Sequence, residues 1–264
     1  MTAIHAGIAI RDIGRSFQQI SLAWFLAWED IRQRYVRTLL GPLWIVLSTG
    51  IWFGVMGFVM ANLFRQNMHD YMPFMVAGLL MWVLISTSLS ESSTILLAAA
   101  GLIVSFNIPI FIHYLRFILR NYIIFLHNLL ILLIVLLIFP PQITEATWLV
   151  IPGLLLNMLI LTSLSVLLSL MHLRYRDTSV AVGSALQILP FITPIFWDKA
   201  MLEKHKWIAD INPFYHMINI VRAPVLGEYP SGNSWVIASV MGGILFFLAC
   251  GLFVRYRQRI IFWL

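Results

Sequence analysis

Glu91, His127 and the set Ser163, Ser165 and His172 are the side chains whose types could support proton transfer or nucleophilic attack. Glu91 sits in a Ser-Glu-Ser-Ser-Thr run, and His127 precedes Asn128 inside a long apolar stretch. Ionisable groups in such stretches are functional suspects, because burying a charge there is costly. Glu91 falls near the end of its stretch, however, and an imidazole is readily neutral, so a structural role is expected for both. No spacing joins the serines to His172 as a hydrolase pair. The patterns G-x-x-x-x-G-K-[ST], H-E-x-x-H, G-x-S-x-G and C-x-x-C are absent, and none of the lysines 199, 204 and 206 follows a glycine. The usual phosphate-cradling loop is therefore missing. The single cysteine, Cys250, excludes a disulfide framework and a Cys-based metal site. No catalytic residue and no metal ligand is expected in this chain.

Aromatic rings are the remaining surplus, at 14% of residues. Trp44, Trp148, Trp197 and Trp235 fall near the ends of apolar runs, where amphipathic rings settle at a membrane–water boundary. Trp52, Phe53, Phe58 and Phe191 lie deeper. Packing against lipid is one reading of these rings. The other is a stacking surface for sugars, whose apolar C–H faces lie well on aromatic planes.

Those rings must be held by elements suited to lipid. Of 264 residues, 61% are hydrophobic and 11% charged, and the mean hydropathy is +0.90. Soluble domains run at about 25% charged, so there is too little charge here to coat a water-facing surface. A hydrocarbon core of about 30 Å needs roughly 20 apolar residues per helix. Apolar runs place six spans at 40–63, 72–92, 118–139, 147–171, 178–197 and 233–254. Twelve of the 17 Lys and Arg residues fall in 11–37, 116–120, 174–176 and 255–259; the other five are at 65 and within 199–222. Basic residues stay in the cytoplasm, so both termini are expected there, as six spans require. In this setting the net charge of +6 marks orientation, and nucleic acid is not an expected partner. None of the 11 acidic residues lies centrally in a span, which argues against coupling to an ion gradient. No internal repeat is present, and residues 1–38 do not read as a cleavable signal.

Two segments are neither span nor simple turn. Ile13, Phe17, Ile20, Trp24, Trp28, Ile31 and Tyr35 recur at steps of three and four, one face of a helix whose start Asp12 could cap. Tryptophans beside arginines suit a helix in the headgroup plane; a solvated helix packed on a soluble partner is the alternative. In 198–232, Asn212-Pro213 supplies a cap and a first helical proline, predicting a short helix over 213–222 stopped by Ala223-Pro224. Two short helices there could dip part-way into the membrane if protein or water satisfies their ends.

The run from Arg34 through Tyr35, Arg37, Thr38, Gly41 and Pro42 to Trp44 resembles the R-Y-x-x-[ST]-x-L-G-x-x-W approach to the first span in type-2 ABC exporter permeases. The subgroup is the one that exports O-antigen, capsule and teichoic-acid polymers. Leu102-Ile103 and Pro109 resemble that family's loop before the third span, although Ile108 and Ile110 stand where it often has a basic neighbour of the proline. Arg174-Tyr175-Arg176-Asp177, Asn212-Pro213-Phe214 with Arg222, and the tail from Arg259 to Trp263-Leu264 follow in the family's order.

The resemblance implies an all-α integral membrane fold: six transmembrane helices, an amphipathic interfacial helix in a cytoplasmic region 1–39, and re-entrant helices between spans five and six of the domain 40–264. It implies a transport subunit, not an enzyme. Two copies would form a channel in the bacterial inner membrane, and two ATP-binding cassette subunits would bind ATP and Mg beneath it. The cargo would be an undecaprenyl-pyrophosphate-linked glycan, O-antigen first. A permease of the same fold for a small hydrophobic drug or lipid is the alternative, and an integral membrane transferase the remote one. In this picture Trp44, Trp52, Phe58, Phe191 and Phe196 line the channel. Arg32, Arg34 and Arg37 receive the substrate headgroup, since guanidinium forks suit a pyrophosphate. Trp24, Trp28, Glu29, Asn107, Pro109, Arg174 and Asp177 meet the ATPase, and Asn212, Pro213, Phe214 and Arg222 form the outer gate.

Overall fold

The computed structural model describes residues 2–34, 36–39, 41, 43–106 and 108–264, apart from the side chains of 2–6 and 203. Among them every regular element is helical. Two helices, α1 (Thr2–Gln18) and α2 (Ile20–Arg34), precede the long α3 (Leu43–Leu63) and α4 (Met68–Ser92). Two short turns, α5 (Ile95–Ala98) and α6 (Ala100–Ser105), lead to α7 (Phe111–Ile138), α8 (Val150–Arg174) and α9 (Thr178–Ile192). Then come α10 (Trp207–Ile211), α11 (Pro213–Val225), α12 (Gly232–Tyr256) and α13 (Ile260–Trp263).

α4 is the axle of the bundle. Asn67 caps it by accepting from the His69 N–H at 3.0 Å, and Asp70 in its first turn complements the helix dipole. Of its apolar window 78% is buried, against 11% for α3, which leaves α3 with most of its apolar surface uncovered. α11 packs inside the same bundle, on α4, α8 and α12. Gly153 makes its approach to α8 possible, because a Cβ there would lie 2.6 Å from the Ile220 carbonyl oxygen. Asn157, one turn on, donates to the Met217 carbonyl at 3.0 Å.

Five helices are long and apolar enough to cross a membrane: α3, α4, α7, α8 with its preceding 3-10 turn, and α12 extended to Trp263. The fifth expected span, 178–197, ends early. α9 has 15 residues, about 22 Å at 1.5 Å per residue, short of a hydrocarbon core of about 30 Å. The cause is Pro194, whose ring drives the preceding residue out of the helical region; Thr193 sits at φ −89 and ψ 133.

The amino-terminal segment also departs from expectation. A single helix over 13–35 is expected, but the chain breaks at Gln19. The face turned inward is made mostly of small residues, and the tryptophans of the stripe stay outside it. Ala9, Asp12 and Ser16 on α1 are buried, as are Ala23, Ala27 and Ile31 on α2, while Trp24 and Trp28 are exposed. Ala23 packs on Ile112 and Leu115, and Ala27 and Ile31 on Ile123, so α2 runs lengthwise along α7 in the same direction. Two fully buried alanines allow that close approach. Ala27→Leu is therefore expected to cost about 1–3 kcal/mol by overpacking and to loosen α2. Faster trypsin cleavage at Arg32 and Arg34 with the membrane helices intact would show it; an unchanged digestion rate would refute it.

Candidate functional site

Functional candidates gather at the two ends of the bundle. At the end carrying both α1 and α13, Asp12 does not cap its own helix. It lies inside α1, 3% exposed, and its carboxylate accepts from the Ile110 and Phe111 N–H groups at 3.1 and 2.9 Å, so it caps α7. Arg257 adds a forked contact, Nε at 2.9 Å and a terminal nitrogen at 2.6 Å. One carboxylate thus ties three distant parts of the chain together.

A chain of charges follows where α2 and α4 meet α7. Arg116 grips Asp30 through both arms of its guanidinium, and Arg120 pairs with Glu91 and lies 3.9 Å from Asp30. Arg34 reaches Glu91 at 3.5 Å. Glu91 thus has the structural partners expected of it, and His127 hydrogen-bonds the Ile123 carbonyl at 2.7 Å. Arg34 is consequently already engaged, and the exposed Arg32 sits 3.7 Å from Glu29. Arg37 has no ion pair among the described residues and occupies the left-handed region at φ 68, in the turn before α3. Nothing in the local sequence pairs Arg116 and Arg120 with Asp30. The available signal was two arginines at i and i+4 on α7 facing a helix with a lone inward acid.

The residues expected to meet an ATPase lie at this same end. Trp24, Trp28 and Glu29 are on α2, Arg174 ends α8, and Asp177 precedes α9 without a side-chain cap bond. Pro109 lines a polar pocket of about 340 Å³ with Arg11 and Arg15 on α1. Asn107 lies outside the described residues.

Trp44, Trp52 and Phe58 are all exposed on α3, and their spacing keeps them within about 120° of the helix surface. Phe191 is exposed on α9, which buries none of its residues. Phe196 is half-buried against the core, and its carbonyl accepts the Tyr71 hydroxyl at 2.6 Å. The structure therefore groups the α3 rings on one open face and separates Phe196 from them.

At the opposite end the Asn212 side chain caps α11, accepting from the Phe214 N–H at 2.9 Å, and Pro213 takes the first helical position. The helix runs to Val225, past the expected stop, since Pro224 is accommodated within its last turn. Phe214 packs edge-on against Trp82 at 6.0 Å. Arg222 is 4% exposed, donates to the Pro194 carbonyl at 2.7 Å, and stacks 4.0 Å from the Phe74 ring centroid. Its guanidinium stays charged at neutral pH, as arginine does in proteins. Among the described residues no group of three or more His, Cys, Asp or Glu could hold a metal ion.

The family model described as ABC-2 type transporter matches residues 21–226. Two proteins named O-antigen export system permease protein RfbA from Klebsiella pneumoniae are similar to this chain. One is 23% identical over 234 residues, 88% of this chain and 90% of that protein; the other is 25% identical over 193 residues, 72% and 74%. A protein of the same name from Myxococcus xanthus is 22% identical over 258 residues, 95% and 98%.

Proposed function

The chain belongs to the ABC-2 type transporter family, and on that premise we propose that it is the channel-forming subunit of an ATP-driven exporter of lipid-linked polysaccharide, O-antigen first. It is a multi-pass permease, and in this reading residues 178–197, α9 with the turn that follows it, make the fifth of six crossings, with both termini on the cytoplasmic face of a bacterial inner membrane. Two separate ATP-binding cassette subunits hold ATP and Mg and dock on α2, Pro109 and the 174–177 turn. Residues 1–39 form the cytoplasmic region with the interfacial helix and 40–264 the six-span domain with the translocation path, α10 and α11 being re-entrant from the outer face.

One observation carries the reading. The aromatic faces of α3 and α9 stay uncovered in a single copy: 11% of the α3 window is buried, and no residue of α9 is. Two copies facing one another would enclose Trp44, Trp52, Phe58 and Phe191 in a passage. Stacking on such rings tolerates different sugars and demands few fixed hydrogen bonds, which suits a chain that must slide. At the cytoplasmic end, Arg32 and Arg37 offer forked, permanently charged donors to an undecaprenyl pyrophosphate. Because α2 is locked lengthwise to α7 by Ala23, Ala27 and the Asp30–Arg116 pair, a push on α2 from an ATPase would be delivered to a membrane helix.

Deleting the gene in a strain that displays surface polysaccharide tests this directly. Lipid-linked polymer should accumulate inside the cell while surface polymer disappears. Normal surface polymer in the deletion strain would sink the proposal.

A further inference from the structure

A groove of about 510 Å³ lies between α1, α7, α8 and α12, within the roughly 300–1,000 Å³ of ordinary ligand sites. Along α8 its lining runs from Leu155 to Val166, about 16 Å at 1.5 Å per residue. α7, α8 and α12 are all long and apolar enough to cross a membrane, so the groove follows the membrane-spanning helices. Its two hydroxyls are already engaged. Thr162 donates to the Met158 carbonyl at 2.7 Å, and Ser163 to the Leu159 carbonyl at 2.8 Å. Leu155, Leu159 and Phe246 are exposed, so the groove opens sideways onto whatever surrounds the bundle. No residue of α3 or α9 lines it, so a second copy seated on those helices would leave it open.

An elongated apolar groove in a membrane does not stay empty, because its walls would forfeit dispersion contacts and water finds no partners there. Lipid hydrocarbon is what surrounds it. Its inner end adjoins a polar pocket. Phe111 lines the groove, while Asp12, which accepts from the Phe111 N–H, lines the pocket with Arg11, Arg15 and Arg257. The Asp12 carboxylate is taken by Arg257 and two backbone donors. Arg11 and Arg15 are exposed, and neither makes an ion pair among the described residues. α1 presents Phe17 to the groove and Arg11 to the pocket, and around the helix Gly14 falls between them. A Cβ at Gly14 would meet nothing within 4 Å, so a headgroup has room against the helix beside the arginines. The charge there calls for an anion, and the groove for a hydrocarbon chain.

We propose that this groove holds one acyl chain of an anionic phospholipid, with the lipid phosphate against α1 at Arg11 and Arg15. Basic pockets between membrane helices on the cytoplasmic side suit anionic headgroups. The inference rests on the membrane placement given above, with the α1 end cytoplasmic, and adds a bound lipid distinct from the cargo. Seated there, the lipid pins α1 to the same helices, α7 and α12, that the Asp12 node joins.

The test uses the full chain in mild detergent with equimolar dipalmitoyl phosphatidylglycerol and phosphatidylcholine, and native mass spectrometry counts the lipid retained. Phosphatidylglycerol should be retained at least about fivefold over phosphatidylcholine, the ratio that one basic residue supplies near a lipid surface. Arg11→Gln combined with Arg15→Gln should bring that ratio to about one while lipid stays bound. Leu159→Trp, which fills the groove from an exposed position, should lower retention of both lipids at least about tenfold. In the unaltered chain, dihexanoyl phosphatidylglycerol should be retained at least about tenfold less than the dipalmitoyl form, and this arm decides if a variant does not fold. Equal retention of the two headgroups or of the two tail lengths overturns the proposal. So does an unchanged ratio in the arginine variant or unchanged retention in Leu159→Trp. Displacement by glycerol 3-phosphate or by undecaprenyl phosphate at equal concentration also overturns it, since the site would then take a free phosphate or the cargo lipid. Lost surface polymer in the deletion strain without retained phospholipid would remove this site alone; retained phospholipid with undisturbed export would remove the export reading and leave the site.

Discussion

Asp12→Ala is expected to destabilise the protein by about 3–5 kcal/mol, the cost of leaving the partners of a buried charge uncompensated. The carboxylate meets two backbone donors at the start of α7 and the forked guanidinium of Arg257. Alanine leaves the Ile110 and Phe111 N–H groups facing a gap and strands a cation. Asp12→Asn should fall between the two, because one amide oxygen can still accept from one backbone N–H while the charge is gone. Arg257→Ala should cost less than Asp12→Ala, since Asp12 keeps both backbone donors and Arg257 is itself partly exposed. Thermal unfolding in detergent ranks the three. An Asp12→Ala protein that melts with the parent would show that the node contributes nothing.

Gly227→Ala is the second large effect. Gly227 adopts φ +78, where a side chain costs about 1–3 kcal/mol. Its Cβ would also lie 1.8 Å from the Gln142 carbonyl oxygen, so the 139–149 connection and the turn after α11 must part. The Thr144 hydroxyl bond to the Gly227 carbonyl, 2.6 Å, would go with them. The expected outcome is a lower melting temperature with protease cleavage opening within 226–231. Gly14→Ala is the control, because a Cβ there meets nothing within 4 Å and φ is ordinary. Within a helix that change should be neutral or stabilising by roughly 0.5–1 kcal/mol. Equal effects from the two substitutions would contradict the steric account.

The sequence made the local features legible. Asn212-Pro213 marked the start of α11, because capping is decided by neighbours in the chain. Apolar runs located the long helices, since a lipid environment imposes length and composition directly. The end of α9 at Ile192 was present in the sequence as Thr193-Pro194, but hydropathy averages over a window and passes across a single backbone restriction. The role of Asp12 was not legible. Its oxygens look like a cap for the nearest helix, and only the folded bundle brings the start of α7 to them. The same holds for Asp30 with Arg116, which meet because two small residues on α2 let it lie along α7. Arg222 stood out through its family-like segment, but its burial needs α4, the 199–206 turn and α11 assembled together.

The Asp12 node imposes an order on synthesis. Its bonds to Ile110 and Phe111 span 98 and 99 residues, whereas its bond to Arg257 spans 245. At about 5–20 residues per second, a ribosome that has made Asp12 needs roughly 5–20 s to deliver the first partners and about 12–50 s to deliver the last. Until then the carboxylate has no guanidinium to neutralise it, and α1 is held to the bundle by half of its eventual anchor. A polypeptide released before residue 257 would keep α1 loosely attached, so incomplete chains are physically distinguishable from finished ones at their amino-terminal end.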